Sequence, residues 1–198
     1  MIELCIFDMG GVYVKSFDTS RKIGEAVGIA ADDYASLYEY FPGDIEKYLC
    51  GLISEEQFWA DFSERTGKAV DNNPSIFGRF FHPVVDTAVD RIVRRLKNRG
   101  MRVVCGTNVV DVHYDYHLEH GQYAVFDAVY PSHLMHIAKP DPAFFRFIAE
   151  HENVSTDECF FADDSEINVR SAISTGMKGY LYRSAEALEA ELGQLGLL

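Results

Sequence analysis

Hydrophobic positions along the chain change period at clear boundaries, and the changes outline an architecture. Ile2–Asp8 is a short apolar run that ends in an acid and is followed by Gly10 and Gly11, the pattern of a buried strand running into a tight turn. Met101–Thr107 (MRVVCGT), Cys159–Asp164 (CFFADD) and Gly179–Tyr182 (GYLY) have the same form. Between these runs the spacing is helical. Val84–Asn98 carries apolar residues on one helical face and stops at Gly100. Pro142–Glu150 opens with proline in its first turn, and Ser165–Ser174 and Ala185–Leu192 read as two further helices. Alternation of helices with wholly apolar strands predicts an α/β fold, a parallel sheet covered on both faces.

The stretch between the first strand and Val84 follows another rule. It reads as helices only, with a break at Pro42-Gly43 and a capping box, Ser54-Glu55-Glu56-Gln57, opening a helix that carries Phe58, Trp59 and Phe62. We expect an all-helical cap over residues 16–83, inserted into a core made of residues 1–15 and 84–198. Such insertions lie over α/β active sites because those sites form at the carboxyl ends of the strands.

Charge narrows the choice of partner. The chain has 18 Lys+Arg against 31 Asp+Glu, a formal −13. It should repel nucleic acid and anionic membrane, and a phosphorylated metabolite too unless a metal ion reverses the sign locally. The N-terminal residues lack the pattern of a signal peptide, and no run approaches the ~18 apolar residues of a membrane span, so a cytoplasmic protein, monomer or homodimer, is expected. Cys5, Cys50, Cys105 and Cys159 form no CxxC pair and read as small buried residues rather than disulfides or zinc ligands.

Chemistry gathers at the strand ends. The first strand ends in Asp8, another in Thr107-Asn108, a third in Asp163-Asp164, and Lys139 sits in a loop just before a helix. In a parallel sheet these ends converge on one crevice. The three carboxylates sum to −3, Lys139 returns one charge, and a divalent cation would neutralise the rest. Oxygen donors without Cys or His suit a hard ion, so Mg²⁺ is the expected cofactor. A carboxylate beside Mg²⁺ and a lysine can attack phosphorus, with Thr107 and Asn108 holding the phosphoryl group.

With these residues in place the chain resembles the haloacid dehalogenase superfamily of hydrolases with a small helical cap, over essentially its whole length. Asp8-Met9-Gly10-Gly11-Val12 resembles the first motif, DxDG(T/V); Thr107 matches the second, Lys139-Pro140 the third, and Asp163-Asp164 with Asn168 the fourth. The resemblance implies a Rossmann-like core, Asp8 as nucleophile and Mg²⁺ ligand, and Gly10 as a ligand through its carbonyl. It further implies Thr107 and Lys139 on the phosphoryl group, Asp164 as a direct metal ligand, Asp163 direct or through water, and Asn168 as loop support. The implied activity is a Mg²⁺-dependent phosphatase of a small phosphorylated metabolite. A metal-independent 2-haloacid dehalogenase and a non-catalytic phosphate- or metal-binding protein are the alternatives.

One position departs from that pattern. Gly10 stands where phosphatases of the family usually carry a second Asp as general acid/base. The same substitution occurs in a subgroup that includes bacterial α-glucose-1-phosphatases, which "GLISEEQF" and "TNVV" also resemble. It implies a sugar phosphate such as a hexose 1-phosphate and a preference for good leaving groups, unless the glycine serves backbone geometry. His113, His117, His120, His133 and His136 fit no HExxH spacing and read as surface or loop histidines. Tyr40, Phe41, Tyr48 and Trp59 read as helix-packing residues rather than the lining of a sugar pocket.

Overall fold

A computed structural model describes all 198 residues. In chain order the elements begin with β1 (Leu4–Phe7) and β2 (Val14–Lys15), then five helices, α1 (Ser20–Val27), α2 (Tyr34–Tyr38), α3 (Asp44–Leu49), α4 (Glu55–Thr66) and α5 (Ile76–Arg79). Next come β3 (Val84–Val85), α6 (Thr87–Asn98), β4 (Arg102–Thr107), α7 (Asp111–Glu119), β5 (Ala128–Pro131), α8 (Ser132–Met135) and α9 (Pro142–His151). The chain closes with β6 (Cys159–Asp163), α10 (Glu166–Ser174), β7 (Lys178–Leu181) and α11 (Ala185–Gln194).

Five strands form one sheet in the order β5-β4-β1-β6-β7, every pair parallel. Successive side chains of a strand point to opposite faces, and here both faces are covered. On β1, Cys5 and Phe7 join the cluster built with Val89, Ile92 and Leu96 of α6 and Leu188 and Leu192 of α11. Leu4 and Ile6 join the opposite cluster, with Phe144, Phe145 and Ile148 of α9 and Ala172 of α10. Polar side chains would be buried on either face, so the strands read as continuous apolar runs. β1 lies at the centre with β4 on one side and β6 on the other. Chain order reverses direction there, and a crevice opens at the carboxyl ends of the three strands.

Helices α1–α5 pack around a cluster of their own, in which Phe41, Tyr48, Phe58, Trp59, Phe62 and Phe77 are buried against one another. Ser54 Oγ accepts from the Gln57 N–H at 3.2 Å and starts α4, but the Gln57 amide donates to Asp61 Oδ1 at 2.6 Å, so the expected capping box is only half formed. The helical segment leaves and rejoins the core through β2 and β3, an antiparallel pair braced by Lys15 and Asp86 at 2.6 Å. Val84 and Val85 therefore belong to a strand, and the helix expected from Val84 starts at Thr87, where Asp86 caps it by accepting from Ala88 N–H at 2.9 Å. β5 is a strand that the hydrophobic pattern did not reveal. Its Ala-Val-Tyr-Pro is short, partly exposed at the sheet edge and ends in proline, tolerable only at such a border. Three of the four cysteines are buried, Cys50 is half-buried, and all four are free thiols.

Candidate active site

The order β4-β1-β6 sets Thr107, Asp8 and Asp163 side by side, each at or just past the end of its strand. Lys139 arrives from the loop between α8 and α9. Asp141 caps α9 by accepting from the Ala143 N–H at 2.8 Å, with Pro142 at the first helical position, and this anchors the loop. The Asn108 side chain holds the same loop from β4: Nδ2 donates to the Lys139 carbonyl and Oδ1 accepts from the Lys139 N–H, both at 2.8 Å. Asn108 thus grips Lys139 from the floor of the crevice.

Lys139 is buried, and its ammonium has three partners: Asp8 Oδ1 and Asp163 Oδ2 at 2.7 Å each and the Gly106 carbonyl at 3.1 Å. Burial would lower its pKa, yet Asp163 and Asp8 hold it well above the usual lysine value. Asp163 is fully buried. Its oxygens also accept from the Ser165 N–H at 2.8 Å and from Asn168 Nδ2 at 3.1 Å, so Asn168 reaches back from the first turn of α10 to brace it. Asp164 is exposed and faces the crevice. Gly11, with φ +75°, makes room for it: a Cβ there would lie 2.0 Å from Asp164 Oδ2. Only glycine takes that backbone conformation without strain and leaves that space.

Oxygen atoms of Asp8, Asp163 and Asp164 lie within 4.8 Å of one another. Burial pushes the Asp8 carboxyl up, against the pull of Lys139 and with Asp163 and Asp164 adding to the rise; Asp164, open to solvent on one side, is raised too, by partial desolvation against the crevice wall and by Asp163. One lysine leaves this cluster short of positive charge. Three hard oxygen donors around an uncompensated negative charge fit Mg²⁺. Asp8 and Asp164 line the crevice beside the Gly10 backbone, whereas Asp163 is already saturated by protein donors.

Above this acidic floor a cavity of about 170 Å³ reaches up to α2, α3 and α5. Among the cap aromatics, Phe41, Tyr48 and Trp59 are packed inside the helical cluster and Tyr40 is exposed; none of them lines the cavity. Tyr34, Tyr38, Phe77 and Phe81 line it instead, together with Phe17. Two histidines line it as well. His113, His117 and His133 are buried, contrary to the reading of these residues as surface or loop histidines. His113 stacks on Phe81 with ring centroids 3.6 Å apart and donates from Nε2 to the Phe77 carbonyl at 3.0 Å. The signal was present: positions 113 and 117 are four apart and share one helix face. Only the placement of α7 under α5 turns that face toward the cavity.

Comparison with known proteins agrees with this geometry. A flavin mononucleotide hydrolase of Arabidopsis thaliana is 39% identical over 59 residues, 30% of this chain and 24% of that protein. A sesquiterpene phosphatase of Aspergillus oryzae is 31% identical over 111 residues, 56% of this chain and 57% of that one. In both, this chain spans less than two thirds of the relative's length. A haloacid dehalogenase family enzyme of Bacteroides thetaiotaomicron, solved with magnesium and inorganic phosphate, superposes with a TM-score of 0.71 at 26% identity, covering 92% of this chain and 95% of that one. The haloacid dehalogenase-like hydrolase family matches residues 2–176, and the chain belongs to that family.

Proposed function

We propose that the chain is a Mg²⁺-dependent phosphatase that hydrolyses a small phosphorylated metabolite through an aspartyl phosphate on Asp8. The observation that carries this reading is the Lys139 ammonium held 2.7 Å from both Asp8 and Asp163, with Asp164 completing a cluster of carboxylates too negative for one lysine. A dehalogenase working without metal has no use for Asp164 in that place, and the relative named a sesquiterpene phosphatase supports phosphoryl transfer.

Asp8, Asp164 and the Gly10 carbonyl would hold the ion, with Asp163 behind them. When bound it supplies the positive charge that lets a phosphoryl group approach three carboxylates. Lys139 holds Asp8 in one orientation at the end of β1, and Thr107 lines the floor where phosphoryl oxygens would lie. Asp8 attacks phosphorus in line, the P–O bond to the alcohol breaks, and water then cleaves the acyl phosphate to release phosphate and restore the carboxylate. The helical segment covers the crevice and excludes bulk water. A hexose 1-phosphate, the finer expectation, meets few free hydrogen-bonding groups on the upper walls.

Phosphate release in the presence of Mg²⁺ is the test. Asp8→Asn should reduce it by about 10³-fold or more, and EDTA should abolish it until Mg²⁺ is restored in excess. Undiminished turnover in Asp8→Asn or in EDTA would exclude this mechanism.

A further inference from the structure

Above its floor the pocket changes character. The upper walls are made by Phe17, Tyr34, Tyr38, Ile45, Phe77 and Phe81, and Lys139 on the floor is the only lysine or arginine lining the cavity. Phe17 stacks on Tyr34 with centroids 6.3 Å apart, and Tyr34 meets Tyr38 at 5.6 Å, so one wall is a row of rings.

Free protons are scarce on these walls. A carbonyl only accepts, so His113 Nε2 carries its proton toward Phe77 O at 3.0 Å and its other nitrogen is a bare acceptor. His117 Nδ1 faces Gln122 Oε1 at 2.5 Å; the Gln122 amide is oriented by Nε2 donating to the Pro83 carbonyl at 3.0 Å, so the proton of His117 is likewise spent. Burial holds both rings neutral, with pKa values lowered to about 4. The Tyr34 hydroxyl donates to the Phe17 carbonyl at 3.2 Å. The Tyr38 hydroxyl makes no side-chain bond, but burial makes it a weaker acid than an ordinary phenol. A departing oxygen therefore meets only the Tyr38 hydroxyl, a weak acid, and the oxygens of a buried sugar would find few donors on these walls.

Phe17 also explains Gly10. The Gly10 backbone lies outside the left-handed region, so the glycine does not serve conformation. A Cβ at Gly10 would lie 3.2 Å from two carbons of the Phe17 ring, close enough to push it by a few tenths of an ångström. Ser16, at φ +57°, bends the chain just before Phe17. The ring is thereby held against Gly10, which follows Asp8 by two residues.

We propose that Phe17, seated on Gly10, selects the alcohol, and that the site takes phosphate monoesters of flat, uncharged aromatic alcohols. This rests on the phosphatase reading above. Asp8 forms its bond to phosphorus, the phosphorus–oxygen bond to the ring breaks with its electron pair on oxygen, and a phenolate leaves to take its proton from solvent. Phenols titrate near ~10, far below alkanols, so they depart without an acid.

The full chain with Mg²⁺ is assayed on phenyl phosphate, glucose 1-phosphate, glucose 6-phosphate and acetyl phosphate. Acetyl phosphate has a good leaving group and no aromatic body. Phenyl phosphate should exceed both sugar phosphates in kcat/KM by about 10²-fold or more. Phe17→Ala should lower kcat/KM for phenyl phosphate about tenfold, chiefly through KM, and lower that for acetyl phosphate by a clearly smaller factor; Phe17→Leu should fall between. Turnover of acetyl phosphate shows that each variant is folded. A sugar phosphate cleaved as well as phenyl phosphate, or an equal loss on phenyl and acetyl phosphate in Phe17→Ala, would overturn the aromatic selection and leave the phosphatase reading standing. Release of phosphate from none of the four would instead sink the phosphatase reading itself.

Discussion

Gly10 and Gly11 follow Asp8 in succession and are glycines for different reasons. Gly10 yields space to the Phe17 ring, whereas Gly11 holds a left-handed backbone at φ +75° with the Asp164 carboxylate against it. Gly11→Ala meets both obstacles. The conformation costs about 1–2 kcal/mol in an L-residue, and the added methyl drives Asp164 from its place. Urea unfolding should show that loss of stability, and the Mg²⁺ concentration for half-maximal phosphate release should rise; an unchanged Mg²⁺ dependence would mean that Asp164 does not hold the ion. The Asp-Met-Gly-Gly run, Lys139 and the acidic pair were all legible as chemistry from their types and strand-end positions. The reason for Gly10 was not, because it depends on an aromatic ring contributed by the neck of the inserted segment.

At the scale of elements, the helical segment stands on its own aromatic cluster. Phe58 of α4 is fully buried, with ring centroids 4.7 Å from Phe41, 4.9 Å from Trp59 and 5.4 Å from both Tyr48 and Phe77. Phe58→Ala should destabilise the protein by about 3–5 kcal/mol, read from urea unfolding, because neighbours anchored in three helices and the turn before α3 close only part of the void. The segment is tied to the core by the Tyr48 hydroxyl donating to Asp111 Oδ1 at 2.8 Å and by Ser132 Oγ donating to the Leu49 carbonyl at 2.6 Å. Helical spacing and the Ser54 cap made these elements readable one by one. Which aromatic residues would be buried in the cluster and which would face the cavity was not readable, since Tyr34, Tyr38 and Tyr48 share a residue type and differ only in where their helices lie.

For the whole molecule the buried histidines set the response to acid. His113 and His117 have pKa values lowered by burial from 6.5 to about 4, and burial lowers His133 as well. The unfolded chain takes up these protons below about pH 6.5 and the folded chain does not until about pH 4, so stability must fall as the pH falls through that window. Each histidine contributes up to about 1.4 kcal/mol per pH unit where the difference is one full proton. Asp8 runs the other way, since its raised pKa lets the folded chain bind a proton first. Urea midpoints measured from pH 8 to pH 4 in the Asp8→Asn background remove the Asp8 part and leave that of Asp164 common to both proteins, so His117→Gln should flatten the slope between about pH 6.5 and 4. An equal slope in both proteins would mean that His117 is charged in the fold. Asp86 acts lower on the scale. Burial raises its pKa, but Lys15 and the N-terminal N–H groups of α6 outweigh burial and hold it below the usual value, so its contribution is lost as the pH falls below about 4.

The sequence by itself determined the parallel sheet, the helical insertion and the strand-end acids, because apolar periodicity, caps and turn glycines act over a few residues and are written where they act. It also determined the hydrolase family, since four short motifs recur in order along the chain. Tertiary structure alone decided which aromatic residues line the cavity, that Asn108 grips Lys139, that His113 and His117 are buried, and that Phe17 fills the space beside Gly10. These outcomes join residues as far apart as Phe77 and His113, or Asn108 and Lys139. Burial and hydrogen-bond partnership depend on the neighbours that packing brings, and local spacing along the chain does not carry them.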